Sequence, residues 1–296
     1  MAVLLRILAL LALLPALAHA QRDPQSQRDP DYIIQELQKL SWQRGPGEGA
    51  IGAKAKIRVP DGLAFLDERN TRRFLELMGN PPRDGHYMIA PSTLDWFAVF
   101  SFDPVGYVKD DEKIDADQLL ESLKKGDAPG NEERKRLGMA PIYTDGWHVP
   151  PHYDSGTKRL EWGMRLRDDT GAKHVNYTSR LLGRSGVMSA VLVSSPQTLA
   201  EDMKSFNAAL AGYDFVAGEK YAEFKSGDRI AEYGLAALVV GGAAAAAAKA
   251  GLFKSLGKFL WVIIGGGLMG GWALLKRLFG RKEEAKPGPP PPPGQL

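Results

Sequence analysis

Three strand-like segments follow one another so closely that no helix fits between them; they span residues 157–166, 173–182 and 186–193. Turn-forming residues separate them, at Asp168-Asp169-Thr170-Gly171 and at Gly183-Arg184-Ser185-Gly186. Strands joined by such short turns must pair antiparallel, because a parallel connection needs about a dozen residues or more. The spacing therefore predicts an antiparallel meander, and it excludes the regular strand–helix alternation of a Rossmann fold.

Helical patterns lie on both sides of this meander in the sequence. Apolar residues at 33, 34, 37 and 40 have the spacing of a short amphipathic helix within Tyr32–Trp42. Asn70 or Thr71 is positioned to cap a second helix, which covers Phe74, Leu75 and Met78. Further helices are predicted over 115–125, 131–137 and 196–210, the first of them closed by Gly126.

Shorter apolar stretches predict additional strands. The alternation at 54–59 indicates a half-buried strand, which a turn at Asp61-Gly62 reverses into a return strand at 63–66. Residues 96–102 predict a buried aromatic strand, and residues 215–224 predict another hairpin. The sum predicts an α+β fold, an antiparallel sheet with helices mainly on one face, plus a C-terminal transmembrane helix.

The N-terminus has the pattern of a cleavable secretory signal. Arg6 precedes an apolar run from Ile7 to Leu14, and Ala18-His19-Ala20 offers a small-x-small cleavage site. The run is too short to span a bilayer. We therefore expect a mature chain that begins at Gln21, outside the cytoplasm. The alternative is an uncleaved N-terminal anchor.

A second apolar segment, at residues 259–275, has the length and composition of a membrane-spanning helix. Its 17 residues would rise about 26 Å, and a lysine flanks each end. Trp261 and Trp272 lie near its ends, as interfacial aromatic residues do. We predict a single span of the cytoplasmic membrane, with the main domain periplasmic or extracytoplasmic. In an alternative topology residues 235–248 also span, as the first arm of a hairpin.

Composition limits the chemistry that the chain can perform. It has no cysteine, which excludes thiol and iron–sulfur chemistry. Its net charge of +3 is small and scattered, so no nucleic-acid partner is expected. The sequence has neither a Walker A nor a G-x-G-x-x-G motif, and we expect no cofactor.

These patterns divide the chain into six segments. They are a signal peptide (1–20), a linker with a short helix (21–47), an extracytoplasmic α+β domain (48–227), an Ala-rich helix with a basic connector (228–258), the transmembrane helix (259–275) and a basic, Pro-rich tail (276–296).

The densest polar stretch lies at residues 106–117, where five carboxylates fall within eight residues. Its spacing does not match an EF-hand, and acids also gather at a helix N-terminus because the macrodipole favours them there. We therefore expect no metal, and we keep the loop as a candidate binding element. The candidate binding residues over the whole chain are Asp110, Asp111, Glu112, Asn131, Arg134, Trp147, Tyr153, Asn176, Tyr177, Arg180 and Arg184.

Two groups among these candidates carry specific expectations. Arg180 and Arg184, beside Asn176 and Tyr177, have the chemistry to grip an anionic ligand, although outward-facing strand residues explain them equally well. The histidines of 148–152 are separated by two prolines and cannot share a helix face, so we predict solvated loop histidines and no helical zinc pair.

Several blocks of the sequence occur in a recognisable order: GYVKDDEK at 106–113, NEERK at 131–135, GW at 146–147 with PPHYD at 150–154, VNYTSRLLGRSG at 175–186 and YGLAAL at 233–238. They resemble the signature blocks of the bacterial domain of unknown function 2167 family, over most of residues 48–250. The resemblance implies an uncharacterised, membrane-anchored protein. It carries over no catalytic residue.

Two functions are compatible with these features. The first is a binding or assembly module of the bacterial envelope. Its expected partners are the lipid bilayer, an envelope protein and a second copy of the chain that packs through Gly266 and Gly270. The alternative is an envelope hydrolase, for which the carboxylates and histidine would have to converge in the fold. Its candidate residues are Asp110, Asp111, His152 and Glu161.

Overall fold

The computed structural model describes residues 30–80, 82–136 and 139–241. The predicted signal peptide (1–20), the predicted transmembrane helix (259–275) with Gly266 and Gly270, and the Pro-rich tail lie outside the described residues. Within the ranges that are described, no helix is both long enough and apolar enough to cross a bilayer.

The described chain has an α+β fold with one large antiparallel sheet, one small sheet and few helices. The strands are β1 (Gln43–Arg44), β2 (Gly47–Ile51), β3 (Ala55–Val59), β4 (Leu63–Leu66), β5 (His86–Pro91), β6 (Phe97–Asp103), β7 (Ile142–Asp154), β8 (Arg159–Asp168), β9 (Lys173–Leu182), β10 (Val187–Ser194) and β11 (Tyr213–Phe215). The helices are α1 (Pro30–Gln38), α2 (Glu68–Leu77), α3 (Ala116–Arg136), α4 (Leu199–Leu210) and α5 (Leu235–Val240). The large sheet has the order β1-β4-β5-β6-β10-β9-β8-β7, and the small sheet has the order β11-β3-β2.

The predicted meander is confirmed by strands β8, β9 and β10. Trp162 lies opposite Thr178, and Thr178 lies opposite Val191, so the three strands pair in sequence order. Strand β10 then pairs with β6, which places Ala190 opposite Phe100. This second pairing joins the meander to the N-terminal strands and completes the large sheet.

Helices cover both faces of the large sheet. Trp162 lies on the face covered by α3 and α5, in one hydrophobic cluster with Leu123. Its cross-strand partner Thr178 shares that face, so the adjacent Tyr177 points the other way, where its ring contacts Phe206 of α4 at a centroid distance of 6.4 Å. We call these the α3 face and the α4 face.

Helix α4 is therefore an exception to the predicted arrangement of helices mainly on one face. The physical reason lies in the central strands, since seven of the eight residues of β10 are buried. A strand that is apolar at consecutive positions needs cover on both sides.

Helix α2 begins earlier than the sequence predicts. Asp67 is its N-cap and accepts a hydrogen bond from the Asn70 amide at 2.9 Å. Thr71 lies inside the helix and donates to the Leu66 carbonyl, while the Asn70 side chain accepts from the Ser41 amide. Aspartate and asparagine cap helices about equally well, so local preference did not separate them.

Helix α3 runs past the predicted stop at Gly126 and through Pro129, where we predicted two helices. A proline inside a helix removes a main-chain hydrogen bond and costs about 3 kcal/mol. Asp127 and Asn131, on either side of Pro129, both hydrogen-bond to β7 and offset this cost. These contacts join residues distant in sequence, so the local pattern gave no sign of them.

Strands β3 and β4 do not form the predicted hairpin around Asp61-Gly62. Strand β3 pairs with β2 and β11 in the small sheet, whereas β4 pairs with β1 and β5 in the large sheet. The turn thus passes the chain from one sheet to the other. The hairpin predicted at 215–224 is also wrong, because β11 is followed by a 3-10 turn at Tyr221–Glu223.

Strand β7 is an edge strand, and it carries His148 and His152, for which we predicted a loop. Its register with β8 shifts at three places, and Pro150 and Pro151 lie in this irregular part. Edge strands tolerate proline because one side of the strand needs no N–H donor. The irregularities also discourage pairing of this edge with another chain.

Candidate binding site

A small cavity lies on the α3 face, between α3, α5 and strands β7 to β9. Its volume is about 40 Å³. Three of the predicted binding residues line it, namely Asn131, Arg134 and Asn176. Much of the remaining lining is apolar and includes Trp162 and Met164. A few polar groups that converge in an apolar pocket are typical of a small-molecule site.

The helical spacing of α3 brings its polar residues to this cavity. Asp127, Asn131 and Arg134 are four and three positions apart, so they share one side of the helix. The Asn131 side chain donates to the Ile142 carbonyl and accepts from the Ile142 amide, both at 2.8 Å. Asp127 accepts two hydrogen bonds from Thr144, from its amide and its hydroxyl, also at 2.8 Å. Asn131 and Asp127 therefore fasten α3 to the edge strand.

Arg134 is the polar group of the cavity that the fold leaves unsatisfied. Its side chain is buried, and only 2% of the residue is exposed. The Nε donates to the Ala140 carbonyl at 2.6 Å, but Nη1 and Nη2 have no hydrogen-bond partner among the residues that the structure describes. Burial lowers the pKa of Arg134 to about 10. The guanidinium is a buried charge that no acidic group of the described chain balances.

A second polar cluster joins two of the predicted residues, Asp110 and Tyr153. The Tyr153 hydroxyl donates to Asp110 Oδ2 at 2.7 Å, and Lys158 Nζ donates to the same oxygen at 2.8 Å. Lys158 also lies over the Tyr221 ring, 5.0 Å from its centroid. Burial opposes ionisation of Asp110, but these hydrogen bonds hold its pKa below the ordinary value. The cluster is internally paired, and it fixes the 106–112 loop to β7.

Two other acidic residues of this stretch accept hydrogen bonds at the N-termini of helices. Glu112 Oε2 accepts a hydrogen bond from the Ala236 amide at 3.0 Å, at the start of α5. Asp115 accepts from the Gln118 amide at the start of α3, as expected for acids at helix N-termini. Asp111 is exposed. In the described ranges no group of three acidic or histidine residues has a geometry suited to a metal ion.

Trp147 has a structural contact as well. Its Nε1 donates to the Ala116 carbonyl at 2.9 Å, and the half-buried ring packs against the hydrophobic cluster of the α3 face. Trp147 thus holds the first turn of α3 against β7.

The structure does not bring the four residues of the predicted anion grip together. Tyr177 lies on the α4 face, whereas Asn176 and Arg180 lie on the α3 face. Arg180 is close to Asp103; burial lowers the pKa of Arg180, and the carboxylate partly opposes that effect. Arg184 lies in the β9–β10 turn and donates two hydrogen bonds to Asp228, each at 2.7 Å.

Asp228→Asn is expected to remove a pH-dependent part of the stability. The hydrogen bonds from Arg184, helped by the Lys225 amide, lower the pKa of Asp228 from 3.8 to about 2. Since the folded-state pKa is depressed, this stabilisation is present above pH 3.8 and is lost as the pH falls towards 2. Urea denaturation across this range should show a steeper loss of stability in the wild type than in the variant. Asp111→Asn makes the same charge change at an exposed position and should keep the wild-type profile; superimposable profiles for all three proteins would refute the assignment.

Three of the hydrolase candidates, Asp110, His152 and Glu161, are divided between the two faces of the sheet. His152 Nε2 lies 3.7 Å from Glu161 Oε2, and Glu161 belongs to the α4 face because it is adjacent to Trp162. Asp110 bonds to Tyr153, which is adjacent to His152 and points to the α3 face. A site shared by all of them would need the groups in one pocket. The structure brings His152 and Glu161 together but leaves Asp110 on the opposite face.

Sequence reasoning missed the polar cluster of Lys54, Ser185 and Glu219. Lys54 Nζ donates to Glu219 Oε1 at 2.5 Å and to Ser185 Oγ at 3.1 Å, and Ser185 also donates to Glu219. The cluster borders an open cleft of about 400 Å³. Its members come from three distant parts of the chain, so no local motif could have revealed it.

The fold and the cavity define the class: an α+β protein with a large antiparallel sheet and a small, mainly apolar pocket. The model of the family described as "Protein of unknown function (DUF2167)" matches residues 43–271, and the chain belongs to this family. The match confirms the resemblance seen in the sequence blocks. Comparison with the curated proteins gives no match.

Among solved structures, the chain is similar to the solution structure of cyanobacterial PsbP (CyanoP) from Synechocystis sp. PCC 6803. The sequences are 11% identical, and the match covers 56% of this chain and 96% of that chain. The TM-score is 0.33, so the likeness carries no functional argument.

Proposed function

We propose that this protein is a membrane-anchored, extracytoplasmic binding module of the bacterial envelope. Two sequence features support the location: the secretory pattern at 1–20 and the apolar segment at 259–275. The family match runs to residue 271, so most of that apolar segment belongs to the same family unit as the folded domain.

The observation that carries the proposal is the packing of α5. Leu235, Leu238 and Val239 are buried in the same hydrophobic cluster as Leu119 and Leu123 of α3. Helix α5 is thus part of the domain's core, and the apolar segment at 259–275 follows it in the sequence. Because α5 packs into the core, a membrane span at 259–275 would hold the folded domain near the bilayer.

Binding is favoured over catalysis by the state of the candidate residues. Asp110, Glu112 and Asn131 are used to fasten loops and helices to one another. Arg134, in contrast, lines a cavity, and its Nη1 and Nη2 have no hydrogen-bond partner among the described residues. A charged group held ready in an apolar pocket suits recognition of a ligand. An envelope protein partner and pairing of two chains through Gly266 and Gly270 are further parts of the proposal.

The anchoring proposal is tested by fractionation of cells that produce the full chain with a C-terminal epitope. We expect the protein in the membrane fraction, without residues 1–20, and the domain open to protease added outside spheroplasts while the tail is protected. Leu268→Arg places a charge at the centre of the predicted span, which costs about 2.5–3.5 kcal/mol, and should release the protein.

The control variant Leu268→Ile keeps the segment apolar and should stay in the membrane fraction. A full-length wild-type chain found in the cytosol with its first twenty residues intact would overturn the proposal. Digestion of the epitope from outside would instead favour the hairpin topology.

A further inference from the structure

We propose that the cavity beneath α3 binds the carboxylate of a short aliphatic monocarboxylate, with Arg134 as its charged partner. This assigns a ligand class to the cavity of the binding module and so rests on the function proposed above. Acetate and formate are representative ligands.

The charge of Arg134 calls for an anion. An ion taken out of water loses several kcal/mol of solvation, which only a well-placed opposite charge restores. Arg134 is 2% exposed, and the one hydrogen bond that its guanidinium makes among the described residues goes to the neutral Ala140 carbonyl. Water in the cavity would satisfy N–H donors but would not neutralise the charge.

The geometry of the free donors selects a carboxylate. Nε of Arg134 is engaged, so Nη1 and Nη2 are the groups left for a ligand within the described chain. Two adjacent N–H donors of a guanidinium match the two oxygens of a carboxylate, and charge-assisted pairs of this kind are among the strongest hydrogen bonds in proteins.

The size of the cavity limits the ligand. One water molecule needs about 10–15 Å³ of cavity space, so a cavity of about 40 Å³ holds roughly three to four heavy atoms. Formate and acetate have that size. The apolar lining from Leu123, Trp162 and Val239 suits a methyl group better than a further polar atom.

One carboxylate also lines the cavity and must be compatible with an anion. Asp127 accepts two hydrogen bonds from Thr144, which turns its oxygens towards β7. Burial raises the pKa of Asp127, so its charged form is disfavoured there. Both effects reduce its repulsion of a bound anion.

The test is thermal unfolding of the purified full-length protein in detergent, with sodium acetate compared against sodium chloride at equal ionic strength. We expect acetate at about 100 times its Kd to raise the Tm of the wild type by about 5–10 °C. Arg134→Met should show no such rise. Arg136→Met is the matched control, because Arg136 is exposed on the same helix and pairs with Glu133; it should respond like the wild type.

Several results would overturn the inference. An equal response of the wild type and Arg134→Met to acetate would show a general salt effect. If chloride raised the Tm as much as acetate, the ligand would not need to be a carboxylate. If octanoate raised the Tm as much as acetate, the limit on the size of the ligand would be wrong.

Arg134→Lys keeps the proposal testable if Arg134→Met fails to fold. Lysine retains the charge but lacks the planar fork, so we expect about tenfold weaker acetate binding by calorimetry. Undiminished binding by this variant would refute the role of Arg134. These measurements do not depend on where the chain resides in the cell, so their failure and the failure of the anchoring test are separate outcomes.

Discussion

Replacement of Trp162 by alanine is expected to lower the free energy of unfolding by about 3–5 kcal/mol. Trp162 is 2% exposed and is the largest fully buried side chain of the α3 face. Its removal leaves a large void next to the existing cavity. Helix α3 cannot move in to fill that void, because Asn131 ties it to the main chain of β7 at Ile142. Urea denaturation followed by far-UV circular dichroism measures the loss.

Two control variants separate burial from the general effect of losing a tryptophan. Trp162→Phe keeps most of the ring volume and should retain most of the stability. Trp147→Phe removes one half-buried indole and its hydrogen bond to Ala116, for an expected loss of about 1 kcal/mol. A Trp162→Ala protein within about 1 kcal/mol of the wild type would show that the α3 face is not packed as described.

Gly106→Ala is expected to cost about 3 kcal/mol, because it combines an unfavourable backbone conformation with a main-chain collision. Gly106 has φ +96°, and a Cβ added there would lie 2.6 Å from the Arg229 carbonyl oxygen. The neighbouring backbone cannot easily give way. The Gly106 amide donates to the Ser185 carbonyl at 3.1 Å, and the Tyr107 amide donates to the Arg229 carbonyl at 2.8 Å. Three loops therefore meet at this glycine.

Gly171→Ala is the matched control for the conformational part of that effect. Gly171 has φ +84°, but a Cβ there would meet nothing within 4 Å. We expect a loss of about 1 kcal/mol from the backbone alone. The same denaturation experiment measures both variants. If they lost equal free energy of unfolding, the close approach of position 106 to the Arg229 carbonyl would not contribute to the loss.

The local elements that the sequence predicted correctly have strong patterns of their own. The meander β8–β9–β10 follows from alternating apolar segments and two turns, and α4 follows from apolar residues at helical spacing. Errors occur where a distant contact overrides a local signal. Pro129 did not end α3, because residues on both sides of it bind β7. The turn at Asp61-Gly62 changes sheet, which no property of the turn itself indicates.

The candidate site shows the same division. The polar blocks were visible in the sequence, and nine of the residues chosen from them lie within or around the α3 face or its adjoining loops: Asp110, Glu112, Asn131, Arg134, Trp147, Tyr153, Asn176, Arg180 and Arg184. The contacts that these side chains make could not be predicted from the sequence. Lys54, Ser185 and Glu219 form a cluster from three separate regions and were missed altogether.

The sequence by itself determined that the chain has a secretory pattern and an apolar C-terminal segment, that its centre is an antiparallel meander, and that it belongs to its family. Each of these depends on neighbours along the chain, whose spacing fixes hydrophobicity and turn geometry. Only the tertiary structure decided that Asn131 finds partners on β7 while two nitrogens of Arg134, three residues further on, find none among the residues described. The fold decides which distant residues become hydrogen-bond partners, and the local sequence pattern does not indicate them.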